Sequence, residues 1–142
     1  MTVFASIAGA IKTVLDAAPV VSSVVERTRL HPLPETQLDA VVIRIDSSTP
    51  ERFAILNGPI NWDTTIAIEC YARSATQTAD VAVDALLAKV YARLAANPTL
   101  GGLVMDSFPE SMNYNFDGQA EHFACVTLML RISHRTSLQT LE

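Results

Sequence analysis

The chain has 142 residues, of which 49% are hydrophobic and 18% charged, and its formal net charge at pH 7 is −5. The length suits one ordinary domain, and the apolar content offsets the entropy lost on folding, which excludes intrinsic disorder. The acidic balance works against binding of phosphate backbones, which needs clustered lysine and arginine. We therefore expect a single folded domain over residues 1–142 with no sequence-specific nucleic-acid binding.

The chain begins with an apolar segment, Val3 to Val21, that is not typical of a signal peptide. No basic region precedes it, and Lys12 and Asp16 interrupt it. Its apolar residues recur at helical spacing, and Pro19 is expected to end the helix. They are Phe4, Ile7, Ala8, Ile11, Val14 and Leu15. No run approaches the roughly 20 apolar residues of a membrane-spanning helix, so we expect a soluble, cytoplasmic protein without membrane contact.

The next part of the chain predicts two strands joined by a long connection. The β-branched stretch Val20–Thr28 fits either a strand or a short helix, and His31–Pro34 is a connector. Apolar and polar residues alternate over Asp39–Asp46 and again over Thr64–Arg73, which is typical of strands with one buried face. Between them, residues 47–63 contain two prolines and a glycine and fit a long hairpin or a mobile arm.

A second helix is predicted after Arg73. Ser74 and Gln77 have the spacing of a capping box, in which the serine oxygen accepts a hydrogen bond from a backbone amide. The apolar stripe of the helix consists of Val83, Leu86, Leu87, Val90 and Leu94. Acidic residues lie early in this segment and basic residues late, as the helix dipole favours, and Asn97-Pro98 ends it.

The last third of the chain predicts a short strand at Leu103–Phe108, a turn at Asn113–Gly118 and a regular strand at Glu121–His134. If the strand phases hold, Cys70 and Cys125 point to opposite faces and stay free thiols. The element order predicts an α+β fold. We expect a mostly antiparallel sheet of about four to five strands with two main helices packed on one face.

The sequence shows no constellation of catalytic or metal-binding residues. Ser133 and His134 are adjacent in a strand, so their side chains point to opposite faces and do not form a nucleophile–base pair. The histidines, which also include His31 and His122, lack metal-ligand spacing and fit surface or strand-end positions. Gly101-Gly102 follows a helix, so it fits the turn after the helix and does not cradle a phosphate at a helix N-terminus. We expect no catalytic residue, metal or cofactor, and no enzymatic activity.

Apolar and aromatic residues in the predicted connection and turn are the candidates for an interface, because exposed patches of this kind often bind other proteins. They are Phe53, Ile55, Leu56, Trp62, Tyr114 and Phe116. The alternative is that these side chains fold back onto the domain as a second, smaller core.

The order of features from Trp62 to Arg135 resembles the minor tail protein U family of siphophages and related tail-terminator and tail-completion proteins. The resemblance begins at the strand Thr65-Ile66-Ala67-Ile68-Glu69-Cys70-Tyr71. It continues through the helical segment Asp84–Tyr91, the segment Leu100–Val104, the aromatic turn Met112–Asp117 and the final strand Ala124–His134. Each feature is common by itself, and their order and spacing carry the resemblance.

This resemblance implies a structural protein of a bacteriophage or prophage. A tail terminator docks on the last ring of a completed tail tube, forms a hexameric ring, ends tube polymerisation and joins the tail to the head. Its partners are then other copies of itself, the tail-tube protein and a head-completion or connector protein. The resemblance places the chain in the host cytoplasm during assembly and at the tail–head junction of the virion. Residues 47–63 and the turn at Tyr114 and Phe116 are the candidate contact patches.

Two other functions fit the same sequence. A head–tail connector or tail-completion protein has the same size and ring symmetry and caps a different surface. A small ligand-binding α+β domain would need a deep pocket with convergent polar groups, and we find no residues that assemble one.

Overall fold

The computed structural model describes residues 1–28, 37–52, 56–74, 76–116 and 123–142. These form α1 (Val3–Asp16), β1 (Val25–Arg27), β2 (Asp39–Arg52), β3 (Ile60–Arg73), α2 (Ala79–Ala95), β4 (Asp106–Phe116) and β5 (Phe123–Thr136). The sheet has the strand order β1-β2-β3-β5-β4, with β1 parallel to β2 and every other pair antiparallel. The predicted α+β fold and largely antiparallel sheet are confirmed.

The core lies between one face of the sheet and the two helices. α1 packs against β1 and β2, and α2 packs against β3 and β5. Alternate residues of the central strands meet the helices in one buried cluster, because successive side chains of a strand point to opposite faces. The central strands contribute Ile66, Ile68, Cys70, Ala124, Val126, Leu128, Leu130 and Ile132 to this cluster. The predicted placement of both helices on one face is confirmed.

The two cysteines point to opposite faces of the sheet, as predicted. Cys70 is buried in the core, whereas Cys125 is half-buried on the other face, opposite Tyr71 in the strand register. Both thiols are free. Burial raises the pKa of the Cys70 thiol to about 12, so it stays protonated and unreactive near neutral pH.

The C-terminus of α1 is held by an arginine of α2. The helix ends at Asp16, ahead of Pro19. The Arg93 guanidinium donates to the carbonyl oxygens of Val14 at 3.1 Å and Ala17 at 2.8 Å, and to that of Pro19. A helix end leaves its last carbonyls without partners, and a cation there is also favoured by the helix dipole. Arg93 therefore ties the two helices together.

The strands of the first hairpin are longer than predicted. β2 and β3 continue into the segment 47–63, where Ser47 pairs with Thr65 and Arg52 with Ile60. A β-bulge between Ile45 and Ser47 shifts the register, which is why the alternation in the sequence breaks near residue 46. The described part of this segment is thus a paired hairpin.

The observed bounds of strand β4 differ from the predicted bounds of a short strand and of the turn after it. The strand runs from Asp106 to Phe116, whereas the sequence predicted a strand at 103–108 and a turn at 113–118. Asparagines favour turns, but pairing of Asn113 with Thr127 and of Asn115 with Cys125 keeps the segment extended. Of the stretch Val20–Thr28, only residues 25–27 form a strand, and His31–Pro34 lies outside the described residues.

Helix α2 begins at Ala79, so the predicted helix start at Ser74 is wrong. The Ser74 hydroxyl does accept hydrogen bonds from the amides of Thr76 at 3.2 Å and Gln77 at 3.0 Å. These bonds close a turn that leads into the helix. Thr78 is the N-cap residue, and its side chain makes no cap hydrogen bond.

Replacing Ser74 with alanine should lower the free energy of unfolding by about 1 kcal/mol, because two amides lose their acceptor. The matched variant Thr78→Ala should have a smaller effect, since it removes no cap bond and loses only an exposed hydrogen bond to the Asp80 carboxylate. Urea denaturation of both variants measures the difference. A larger loss for Thr78→Ala would contradict this geometry.

Candidate functional site

Of the six predicted interface residues, the structure describes the side chains of Leu56, Trp62 and Tyr114, and these three do not form one patch. Phe53, Ile55 and the side chain of Phe116 lie outside what the structure describes. Leu56 follows β2 and is 80% exposed, and Tyr114 on β4 is 58% exposed. Trp62, the sixth, lies on β3, two strands away from β4 in the sheet.

Trp62 packs back onto the domain. Its ring meets the ring of Phe4 edge to face, with centroids 5.3 Å apart, and its indole nitrogen donates to the Thr136 hydroxyl at 2.9 Å. Trp62 lies opposite His134 and Tyr114 lies opposite Val126, eight residues away along β5. At about 3.3 Å per residue the two aromatic residues are therefore roughly 26 Å apart. Trp62 thus folds back onto the domain, as the alternative to an interface role predicted, whereas Tyr114 stays at the surface.

His134 is fully buried near the C-terminal end of β5, so of the two predicted positions the strand end describes this residue and the surface is wrong. Its Nε2 lies 2.7 Å from the Thr64 hydroxyl, which is itself 2.9 Å from the hydroxyl of Ser48. Its ring meets Phe4 edge to face at 5.1 Å. Within the described residues, Nδ1 of His134 is the one buried side-chain polar atom without a hydrogen-bond partner. Desolvation lowers the pKa of His134, against the opposing effect of the Asp63 carboxylate.

Protonation of His134 should make the protein less stable in mild acid. Because burial holds the folded-state pKa below the unfolded value of about 6.5, the unfolded chain takes up the proton first. The stabilisation is therefore complete above about pH 6.5 and is lost as the pH falls below it, by at most about 1.4 kcal/mol per pH unit.

Urea denaturation at pH 7, 6 and 5 measures this slope for the natural chain and for His134→Gln. The glutamine variant should have a flatter slope, since His31 and His122 remain in both proteins and their effects cancel. Parallel slopes would show that His134 does not control acid sensitivity.

The polar face of the sheet, which points away from the helices, carries paired charges. Arg131 donates to the Asp63 carboxylate, which also accepts a hydrogen bond from the Ser133 hydroxyl at 3.0 Å. The hydrogen bond from Arg131 holds the pKa of Asp63 below its usual value. Arg44 lies 3.4 Å from the Glu69 carboxylate on the same face. Since Ser133 is on this face and His134 is in the core, the expected separation of that pair is confirmed.

Strand β4 forms an exposed edge of the sheet. Among the described strands, β5 pairs with β4 along one side and none pairs along the other. Every residue from Glu110 to Asn115 is exposed. Met112 lies opposite Leu128 of the core, so its side chain is on the helix side of the sheet although it is 37% exposed. An exposed strand edge with apolar side chains is a typical site of protein association.

The two halves of β4 differ in their chemistry. The first half contains Asp106, Pro109, Glu110 and a β-bulge between Pro109 and Ser111. Charge, proline and bulges all hinder the addition of another strand. Residues 111–116, Ser-Met-Asn-Tyr-Asn-Phe, contain no charge, proline or glycine. We call residues 111–116 the neutral edge.

An apolar groove of about 250 Å³ separates α2 from the first half of β4. Its lining consists of Tyr91, Leu94, Ala95, Pro98, Ser107, Phe108, Pro109, Leu128 and Leu130. Tyr91 of the lining is 41% exposed, whereas Phe108 lies opposite Arg131 in the register, so its side chain, 64% exposed, is on the polar face of the sheet. The Ser107 hydroxyl donates to the Pro98 carbonyl at 2.9 Å, so this polar group is already satisfied. The groove suits an apolar side chain of a protein partner better than it suits chemistry on a substrate.

The sequence pattern indicates Tyr114 as a surface residue, but it does not indicate Phe108, Met112 or Tyr91. The predicted turn at 113–118 hid the alternation of Met112 and Tyr114, which was the available signal for an edge strand. The sequence does not indicate that Tyr91 is exposed, because its exposure depends on how α2 packs over β3 and β5.

Two further features, a metal site and a membrane-spanning helix, are not found in the described part of the chain. No group of three or more His, Cys, Asp or Glu side chains in it is placed to hold a metal ion. The predictions for His31 and His122 fall outside the described residues. No helix in the described ranges is both long and apolar enough to cross a membrane.

Fold and surface together define a two-layer α+β domain whose most distinctive surface is a strand edge beside an apolar groove. The same fold occurs in a chain of the virion of a native gene transfer agent particle, with a TM-score of 0.53 and 12% sequence identity. The match covers 91% of this chain and 94% of that chain. No family model matches the sequence, and no curated protein matches it.

Proposed function

We propose that this chain is a structural subunit of a phage-like virion, and specifically a tail terminator that closes the tail tube as a ring. The observation that carries the proposal is the fold shared with a virion chain over almost the full length of both chains. The resemblance of residues 62–135 to tail-terminator proteins supports the more specific role. In this role the chain works by assembly, without catalysis, metal or cofactor.

The exposed surfaces support assembly into a ring. A ring of identical subunits needs two different patches on each subunit, and contact with the tube needs a third. The groove lies on the β4 side of the sheet, whereas Leu56 belongs to the β2–β3 hairpin on the other side. Contacts at both sides let each subunit bind two neighbours.

The charges support a ring through which DNA passes. The chain has a net charge of −5, and on the polar face Arg131 pairs with Asp63 and Arg44 with Glu69 and Asp46. An arginine that already has an acidic partner attracts phosphate groups less strongly, so DNA is not retained. A ring bore lined with unpaired lysine and arginine would contradict this part of the proposal.

Tube polymerisation provides the test. Polymerising tail-tube protein from the same particle should give shorter tubes when this chain is added, with a ring visible at one end by electron microscopy. Light scattering of the released ring should give six times the subunit mass of 15.4 kDa.

The variant Tyr91→Glu should weaken capping by at least about tenfold, because Tyr91 lines the apolar groove and the substitution places a charge there. Val81→Glu is the matched control, since Val81 is also an exposed apolar residue of α2, at 52% against 41% for Tyr91, but does not line the groove.

The outcome also separates the remaining functions. A chain that ignores tube ends but binds the head connector is a head–tail connector or other tail-completion protein. A chain that stays monomeric and leaves tube growth unchanged at every concentration contradicts the assembly role and favours a ligand-binding domain.

A further inference from the structure

We infer that the neutral edge of β4 pairs with the neutral edge of a second copy, so that two free subunits form a two-fold symmetric dimer with one continuous sheet. The inference concerns the free protein and does not rest on the proposed function. It follows from the unequal protection of the sheet edges and from the absence of charge in residues 111–116.

The backbone of an edge strand directs every second amide and carbonyl away from the sheet, where another strand can bind them. In β4 the proline, the bulge and the carboxylates of the first half hinder such pairing, so it is favoured only from Ser111 onward. Residues 111–115 are exposed and extended, and hence already have the conformation of a paired strand.

The opposite edge of the sheet is a poor partner for this segment. β1 covers Val41–Ile43 of β2, and beyond it β2 has a bulge after Ile45. Pro50 lacks an amide to donate, and Arg44 and Glu51 would place charges against a neutral strand. Among the described strand edges of a second copy, the neutral edge itself is therefore the best complement.

Antiparallel pairing about a two-fold axis at Asn113 places compatible side chains opposite each other on both faces of the strand. Residues opposite each other share a face, so Met112 of one copy lies against Tyr114 of the other on the helix side. These side chains are 37% and 58% exposed in the single chain and would cover one another. With the axis at Asn113, residues 111–115 pair with each other, Glu110 lies opposite the uncharged Phe116, and Asp106 lies outside the pairing, so no like charges meet.

The position of Asn113 on the axis gives a decisive test. Asn113 lies opposite Thr127 on the polar face, where a longer side chain does not disturb the core. Sedimentation velocity over a concentration series should show the natural chain as a dimer of 15.4 kDa subunits. Asn113→Lys and Asn113→Glu should each weaken the dimer at least about tenfold, because two like charges meet at the axis.

An equal mixture of the two variants should form dimers again, since lysine then meets glutamate. The matched controls are Thr49→Lys and Thr49→Glu, at an exposed position of β2 on the protected edge, and neither should change the mass. Hydrogen exchange provides a measurement without variants: the amides of 111–115 should exchange more slowly as the concentration of the natural chain rises.

Three results would overturn the inference. The first is a natural chain that stays monomeric at all concentrations with unchanged exchange at 111–115. The second is a dimer that Asn113→Lys leaves intact. The third is loss of the dimer in both variants without recovery on mixing, which would mean that the neutral edge binds a different surface.

Discussion

The pairing of β3 with β5 is the contact on which the rest of the structure depends. It joins fourteen residues of each strand without a register shift, from Ile60 opposite Thr136 to Arg73 opposite Phe123. Each of these strands has a further neighbour on its other side, β2 for β3 and β4 for β5. Their alternate apolar residues form the floor on which α2 packs, and Arg93 then holds α1 to α2. The core, both helices and both sheet edges take their positions from this one ladder.

The same arrangement creates the surface to which we assign function. α2 lies over the central strands, so β4 extends beyond it and leaves the groove beside Tyr91 and Pro109. On the other side, β1, the bulge and Pro50 protect β2. A sheet with one protected and one open edge suits a protein that works by binding other subunits, as the proposed ring requires. The apolar face of β4 and the polar, ion-paired face of the sheet then have separate roles.

Local patterns in the sequence were reliable where the environment of a segment was uniform. The alternation around Ile68 and Leu128 correctly predicted which side chains are buried, because both strands have one face against helices throughout. The same reasoning failed at Ser74, whose hydroxyl closes a turn ahead of α2, and at Asn113, whose turn preference is outweighed by pairing with β5. It also failed at His134. Polar residues usually lie at the surface, whereas His134 is buried beside Phe4.

The sequence by itself determined the α+β class, the faces of the main strands and the separation of Cys70 from Cys125. These properties follow from residue spacing along the chain, to which helices and strands respond locally. Only the tertiary structure decided the strand order, and with it that β4 is an open edge and that Trp62 packs inward while Tyr114 does not. Whether a strand is central or at the edge depends on pairing between residues far apart in the chain, which spacing within one segment does not encode.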